Sequence, residues 1–169
     1  MAKRLAKLGW TAQIVGPHGT GKSTLIHQLV DVFEQGDREI VWFTLNDRQR
    51  ELPVSRRDAR SWNDNTLVIV DGFEQLGWWN RLWLRRVCRS KRVGLLVTAH
   101  SDVGLATLAE TSVCLDTAKA IVEDLCSNEF AVADNDLSDC VHQHRGDMRE
   151  VLFALYDQYE KNRCNSHCR

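Results

Sequence analysis

Gly16-Pro17-His18-Gly19-Thr20-Gly21-Lys22-Ser23-Thr24 fits the pattern G-x-x-x-x-G-K-[ST], and the residues on either side decide how it folds. Before it, Thr11-Ala12-Gln13-Ile14-Val15 reads as a strand entering a sheet core. After it, Leu25, Ile26, Leu29, Val30 and Phe33 fall on one face of a helix that stops at Gly36. A strand, a glycine-rich turn and a helix N-terminus aim a row of backbone N–H groups at one point, where the helix dipole favours an anion. The pattern predicts a phosphate-binding loop formed by residues 16–24. Lys22 would reach the β/γ-phosphates of a nucleoside triphosphate, and the Ser23 hydroxyl would ligate Mg²⁺.

Working outward, the chain alternates strands and helices. Glu39-Ile40-Val41-Trp42-Phe43-Thr44-Leu45 reads as a second strand, and residues 46–65 as a polar, arginine-rich connection broken by Pro53. Leu67-Val68-Ile69-Val70 is an unbroken apolar run, as expected of a parallel strand covered on both faces. Residues 78–92 read as a helix, 93–98 as another buried strand, and Ser112-Val113-Cys114-Leu115 as a short fifth strand. Beyond Asp116 the pattern changes to three amphipathic helices, marked by Ala118, Ile121, Val122, Leu125 and Cys126, then Leu137, Cys140, Val141 and His144, then Met148, Val151, Leu152, Leu155, Tyr156 and Tyr159. Asp147-x-x-Glu150 opens the last in a capping-box pattern. The expected architecture is α/β, three-layered, with a mostly parallel five-stranded sheet: a core over 1–116, a small helical lid over 117–162 and a disordered tail over 163–169.

Composition narrows the class. A chain of 169 residues suits one domain with a small appendage, and 43% hydrophobic with 27% charged residues are ordinary soluble values. No apolar run approaches the ~20 residues of a membrane helix. The start, Met1-Ala2-Lys3-Arg4-Leu5-Ala6-Lys7-Leu8, is basic without the apolar core of a signal peptide. Six cysteines in a chain with a phosphate loop are expected as free thiols in a reducing cytoplasm.

Several side chains should surround the loop. Asp71 ends the 67–70 strand, so its carboxylate projects from the carboxyl edge of the sheet and can hold Mg²⁺ with Ser23. Glu74 lies three residues on and is placed to orient an attacking water as a general base. Thr98, His100 and Ser101 end the next strand, where a polar group can meet the γ-phosphate or that water. Arg149, in the first turn of the third lid helix, can point back to the β/γ-phosphates.

Together these motifs resemble a compact AAA+ ATPase of the ASCE division of P-loop NTPases. Residues 16–24, 67–71, the polar end of 93–98 and Gly146-Asp147-x-Arg149 match that family's Walker A, Walker B, sensor 1 and sensor 2 in order. The family usually carries Asp-Glu at Walker B. Here Asp71-Gly72-Phe73-Glu74-Gln75-Leu76 looks more like the Asp-Gly-Phe-Asp-Glu-Leu box of the NACHT/STAND ATPases. The resemblance implies ATP and Mg²⁺ as ligands, low turnover, and a switching or loading role on a macromolecular partner, with a homo-oligomer possible.

Charge suggests where a partner could dock. Residues 78–92 hold Arg81, Arg85, Arg86, Arg89, Lys91 and Arg92 without an acid, whereas 110–160 hold twelve acids against Lys119, Arg145 and Arg149. Arg81, Arg85, Arg89 and Arg92 form one helical stripe, opposite an apolar face of Trp79, Leu82, Trp83 and Val87 expected in the core. The stripe suits nucleic-acid phosphates or a neighbouring subunit's nucleotide, and Arg48, Arg50, Arg56, Arg57 and Arg60 would extend it. Two alternatives to the ATPase stay open. One is a small-molecule kinase, with Asn46-Asp47-Arg48 near its substrate; the other is a switch that binds nucleotide without turning it over. Cys164, His167 and Cys168 lack the second cysteine pair of a zinc site.

Overall fold

The unbroken run at 67–70 serves two cores at once. The computed structural model describes residues 1–46, 49–125 and 133–167. Its sheet contains β1 (Thr11–Val15), β2 (Glu39–Thr44), β3 (Thr66–Asp71), β4 (Gly94–Ala99) and β5 (Thr107–Glu110), all parallel, in the order β2-β3-β4-β1-β5. From β3, Leu67 and Ile69 pack with Leu5 of α1 (Ala2–Lys7), with Ile26, Leu29 and Phe33 of α2 (Lys22–Glu34), and with Ala12, Ile14, Leu96 and Leu108. Val68 and Val70 point the other way, to Leu84 and Cys88 of α3 (Trp78–Lys91), with Phe73, Leu76, Leu95 and Val97. Period-two alternation with apolar cover on both sides is what makes the sequence continuous rather than alternating. Each of these four side chains is fully buried, which stabilises by roughly 1.5–3 kcal/mol apiece relative to exposure. The fold is thus the three-layer α/β arrangement expected.

The fifth strand lies earlier than expected. It is Thr107–Glu110, pairing Thr107 with Gln13 and Glu110 with Val15, whereas Leu115 opens helix α4 (Leu115–Leu125). Of its four residues only Leu108 is buried, so its pattern is weaker than that of Ser112-Val113-Cys114-Leu115. What secures β5 is Gln13, a fully buried amide in the middle of β1. Its Nε2 donates to Asp102 Oδ1 (2.8 Å) and Thr107 Oγ1 (3.0 Å), and its Oε1 accepts the Val103 N–H (2.9 Å). Every polar atom of the amide is satisfied, so burying it costs little and ties the 102–107 segment to the strand. Asp102 also accepts the Gly104 N–H, and these bonds hold its carboxyl below the usual range.

Helix α3 presents a different face from the one expected. Leu84 and Cys88 are buried and Trp83 and Val87 half-buried, but Trp79 is 74% exposed, Trp78 65% and Leu82 48%. The tryptophans are displaced because Arg81 and Arg85 take part of the inward side, reaching backbone carbonyls there. Arg81 donates from Nε to Leu76 O (2.7 Å) and from Nη2 to Glu74 O, and Arg85 Nη2 donates to Val103 O. Both guanidinium groups also lie over the Phe73 ring, at 5.8 and 5.4 Å. The stripe is therefore divided. Two arginines are bound to the protein itself, and Arg89 and Arg92 are exposed. Helix α1 was not foreseen; its only buried side chain is Leu5, too little to show a period.

By its contacts the chain forms two units. The first is Met1–Gly16 with Gly21–Thr111 and contains the sheet; the second is Pro17–Thr20 with Ser112–Arg169. In the second, α4, α5 (Asp134–Gln143) and α6 (Met148–His167) surround a core of Ala118, Val122, Leu137, Cys140, Met148, Val151 and Leu155. These are the three expected helices, though α6 runs on into the stretch read as a tail. Asp47, Arg48, Cys126 and Cys168, and the side chains of Cys164 and His167, lie outside the described residues. None of the described helices is long and apolar enough to cross a membrane.

Three thiols, Cys88, Cys114 and Cys140, are free among the described residues. Burial pushes Cys88 up to about 12; burial, then Asp136 and Asp139, raise Cys140. Cys114 is exposed, and hydrogen bonds from the Thr117 hydroxyl (3.2 Å) and backbone N–H, then from the Asp116 backbone, lower its pKa. The thiolate is the nucleophile, so Cys114 should alkylate first of the three, and at a pH below that needed by a free thiol. Peptide mass spectrometry after brief iodoacetamide treatment would show this order. Equal labelling of Cys88 and Cys114 in the native protein would contradict it.

Candidate functional site

The phosphate loop takes its shape from glycines at two positions. Gly21 is left-handed (φ +82) at the start of α2, and a Cβ there would meet nothing within 4 Å, so its backbone faces open space. Gly19 is also left-handed (φ +66), but for a different reason. A Cβ on it would lie 1.9 Å from Asp147 Oδ1 and 2.9 Å from the Met148 nitrogen. In the second unit, then, the crest of the loop abuts the head of α6, and Thr20 Oγ1 closes the crest onto Pro17 O at 2.9 Å.

Asp147 caps α6 through Oδ1, which accepts the Arg149 N–H at 3.0 Å. The reciprocal half of the expected capping box does not form, because the Asp147 N–H donates to His144 O (3.0 Å). The tight α5–α6 turn imposes this, with Arg145 (φ 51) and Gly146 (φ 76) both left-handed. Arg149 is exposed on the first turn of α6.

In the first unit the carboxyl edge of the sheet brings together Lys22, Asp71, Glu74, Thr98 and His100, five of the residues singled out from sequence. β4 lies between β1 and β3, so the end of β4 meets both the loop and Asp71. Thr98 does not face open space; it is 1% exposed, donates to Asp71 Oδ1 (2.5 Å) and accepts the Gly72 N–H (2.9 Å). Its part is to hold Asp71 by Oδ1, with Oδ2 outside that bond.

The same geometry explains why glycine follows Asp71. Gly72 is left-handed (φ +84), and a Cβ on it would come within 3.0 Å of Leu45 O. A glutamate cannot sit there without strain, and the acid falls instead at Glu74.

Lys22 is 8% exposed, and its Nζ donates to Gly16 O at 2.7 Å. It also lies 3.3 Å from His100 Nδ1, while His100 Nε2 lies 2.8 Å from Glu74 Oε1. An ammonium can only donate, so Nδ1 accepts; Nε2–H then donates to the carboxylate. A neutral imidazole satisfies both ends, linking lysine to glutamate. Glu74 Oε2 is buried with no hydrogen-bond partner among the described residues. Such a buried acceptor costs about 1–3 kcal/mol. Arg81, singled out from sequence only as part of the arginine stripe, fixes the turn carrying Glu74 by binding the carbonyls of Glu74 and Leu76. Ser23, Thr24 and Ser101 are exposed.

The donor set fits magnesium that arrives with a nucleotide. Among the described residues no three or more His, Cys, Asp or Glu side chains gather as a resident metal site would require. Mg²⁺ bound with phosphates needs only one or two protein oxygens, and Ser23 and Asp71 have them.

No family model matches the chain, and no curated protein does. Among solved structures it is similar to Cdc6p from Pyrobaculum aerophilum, with a TM-score of 0.63 and 15% identity over 92% of this chain. It spans 56% of that chain, a little over half its length. PCH-2 of C. elegans is a more distant likeness, at a TM-score of 0.40 and 17% identity over 73% of this chain and 43% of that one. At these identities the likeness to Cdc6p is one of fold. The chain has the three-layer α/β fold of a P-loop NTPase with an all-parallel five-stranded sheet, the architecture its motifs indicated.

Proposed function

We propose that the chain binds Mg-ATP at the phosphate loop and hydrolyses it slowly, acting as a nucleotide-dependent switch on a macromolecular partner. The observation that carries this is the Lys22–His100–Glu74 connection. A phosphate-binding cation and a candidate base are joined through one imidazole, so the state of either is felt by the other. In this reading Lys22 leaves Gly16 O for the β/γ-phosphates, and backbone N–H groups of 19–24 and the dipole of α2 hold the rest of the anion. Ser23 and Asp71 Oδ2 would hold Mg²⁺, whose chemistry is to neutralise charge on the β- and γ-oxygens. Glu74, once released by His100, accepts a proton from water, and Arg149 reports the γ-phosphate.

A second reading, nucleotide binding without turnover, is favoured by one specific contact. Glu74 Oε1 is already engaged by His100 at 2.8 Å, so the base is withheld in this state. The partner's class is less constrained. Binding nucleic acid along the whole arginine stripe loses support, because Arg81 and Arg85 are spent on backbone carbonyls.

Calorimetry with ATP, with and without Mg²⁺, beside single-turnover hydrolysis, tests the proposal. Saturable binding tightened by Mg²⁺ together with measurable turnover is expected. Binding without turnover would select the second reading, and no binding would remove both.

A further inference from the structure

The opposite edge of the sheet carries a second concave site. A cavity of about 480 Å³ is lined by Gly9 and Thr11 at the start of β1, Val93 and Leu95 at the start of β4, Leu105 before β5, Arg85, Cys88 and Arg89 from α3, and Arg92 at its C-cap. The strands are parallel and the phosphate loop leaves the far end of β1. Thr11 to Val15 is four residues, so the two sites are separated by at least about 13 Å of strand. Three arginines, and no acid, line the cavity.

We infer that this cavity is an anion site for an organic diphosphate. Arg85 and Arg89 are four residues apart on one face of α3, and Arg92 is the left-handed residue (φ 58) that caps its C-terminus. Charges at the last turn of a helix already complement its dipole, and that accounts for one or two cations there. It does not account for a third in the same hollow.

Burial has lowered the Arg85 pKa, with Arg81 adding repulsion, so the group is held where its charge is disfavoured. Its Nε is buried without a hydrogen-bond partner among the described residues, although Nη2 is bound to Val103 O. Arg85 is held by Val103 O, so its charge acts on an anion through space, while the exposed forks of Arg89 and Arg92 pair with phosphate oxygens in two-bond geometry. Three cations outmatch a single carboxylate and suit the charge of a diphosphate. The volume lies within the range of small-ligand pockets and exceeds what bare pyrophosphate fills. Val93, Leu95 and Leu105 supply an apolar wall for the organic part.

Pyrophosphate titrated into the ¹⁵N-labelled full-length chain is the test, because amide shifts report each site separately. The amides of Gly9, Thr11, Val93 and Leu105 should move on one binding curve. Arg89→Gln with Arg92→Gln should weaken that curve tenfold or more, leaving the curve of the 19–24 amides unchanged. Both residues are exposed, so the variant keeps its fold. Arg86→Gln, exposed on the same helix but outside the cavity, should have little effect. Shifts confined to 19–24, or equal weakening by Arg86→Gln, would overturn the site. So would a single-stranded oligonucleotide binding through Arg89 and Arg92 where pyrophosphate does not, and that outcome would assign the face to nucleic acid.

Discussion

Lys22→Ala is expected to abolish measurable Mg-ATP binding while the protein stays folded. The ammonium is 8% exposed and held by Gly16 O, with His100 Nδ1 beside it, so it is already desolvated and positioned at the mouth of the loop. A bound triphosphate would exchange those partners for phosphate oxygens. Charge-assisted bonds are worth roughly 1.5–3 kcal/mol each, and losing two of them raises Kd by about 10²–10⁴-fold. The stem of Lys22 is not part of either core cluster in this unit, so the thermal midpoint should move little. Calorimetry on the folded variant decides the matter: a Kd equal to that of the wild type would mean that the loop does not bind phosphate through this residue.

Glu74→Gln is expected to retain Mg-ATP affinity and to lower the single-turnover rate by about 10²-fold or more, the usual contribution of a general base. The amide replaces the carboxylate almost atom for atom. Its oxygen can accept from His100 Nε2, so the turn held by Arg81 should persist. Only the capacity to take a proton is removed. A variant that hydrolyses at the wild-type rate would reduce Glu74 to a partner that positions His100. Weakened binding with an unchanged rate would point the same way.

Much of this site was legible because the requirements of a phosphate loop are local. A strand, glycines and a helix start are adjacent in sequence, and Asp71 follows from the end of an apolar strand. The contact between Glu74 and His100 was not legible. The residues are neighbours only because β4 lies beside β3, and strand order is not written in a single sequence. Thr98 was rightly placed at the strand end, yet its hydroxyl turned to Asp71, since a buried donor takes the nearest carboxylate. The fifth strand was misplaced because an edge strand with one buried residue has no period to detect, and a buried glutamine supplies what the pattern lacks. The face of α3 was misread because arginine was counted as polar. A guanidinium with carbonyls within reach can occupy the inward side of a helix and leave tryptophans in water.

The fit of Gly19 against Asp147 makes the phosphate loop the fulcrum of a lever. One carboxylate oxygen both ends the space above Gly19 and caps the first turn of α6. A change in the crest that moved Gly19 toward Asp147 would have to displace that oxygen. Displacing it would remove the cap from the head of a helix 20 residues long, which spans about 30 Å. A tilt of about 10° at the fulcrum carries the far end of such a helix by about 5 Å. An event the size of one phosphate would thus be rendered as a movement the size of a side chain, at the end of the helix farthest from where it occurred.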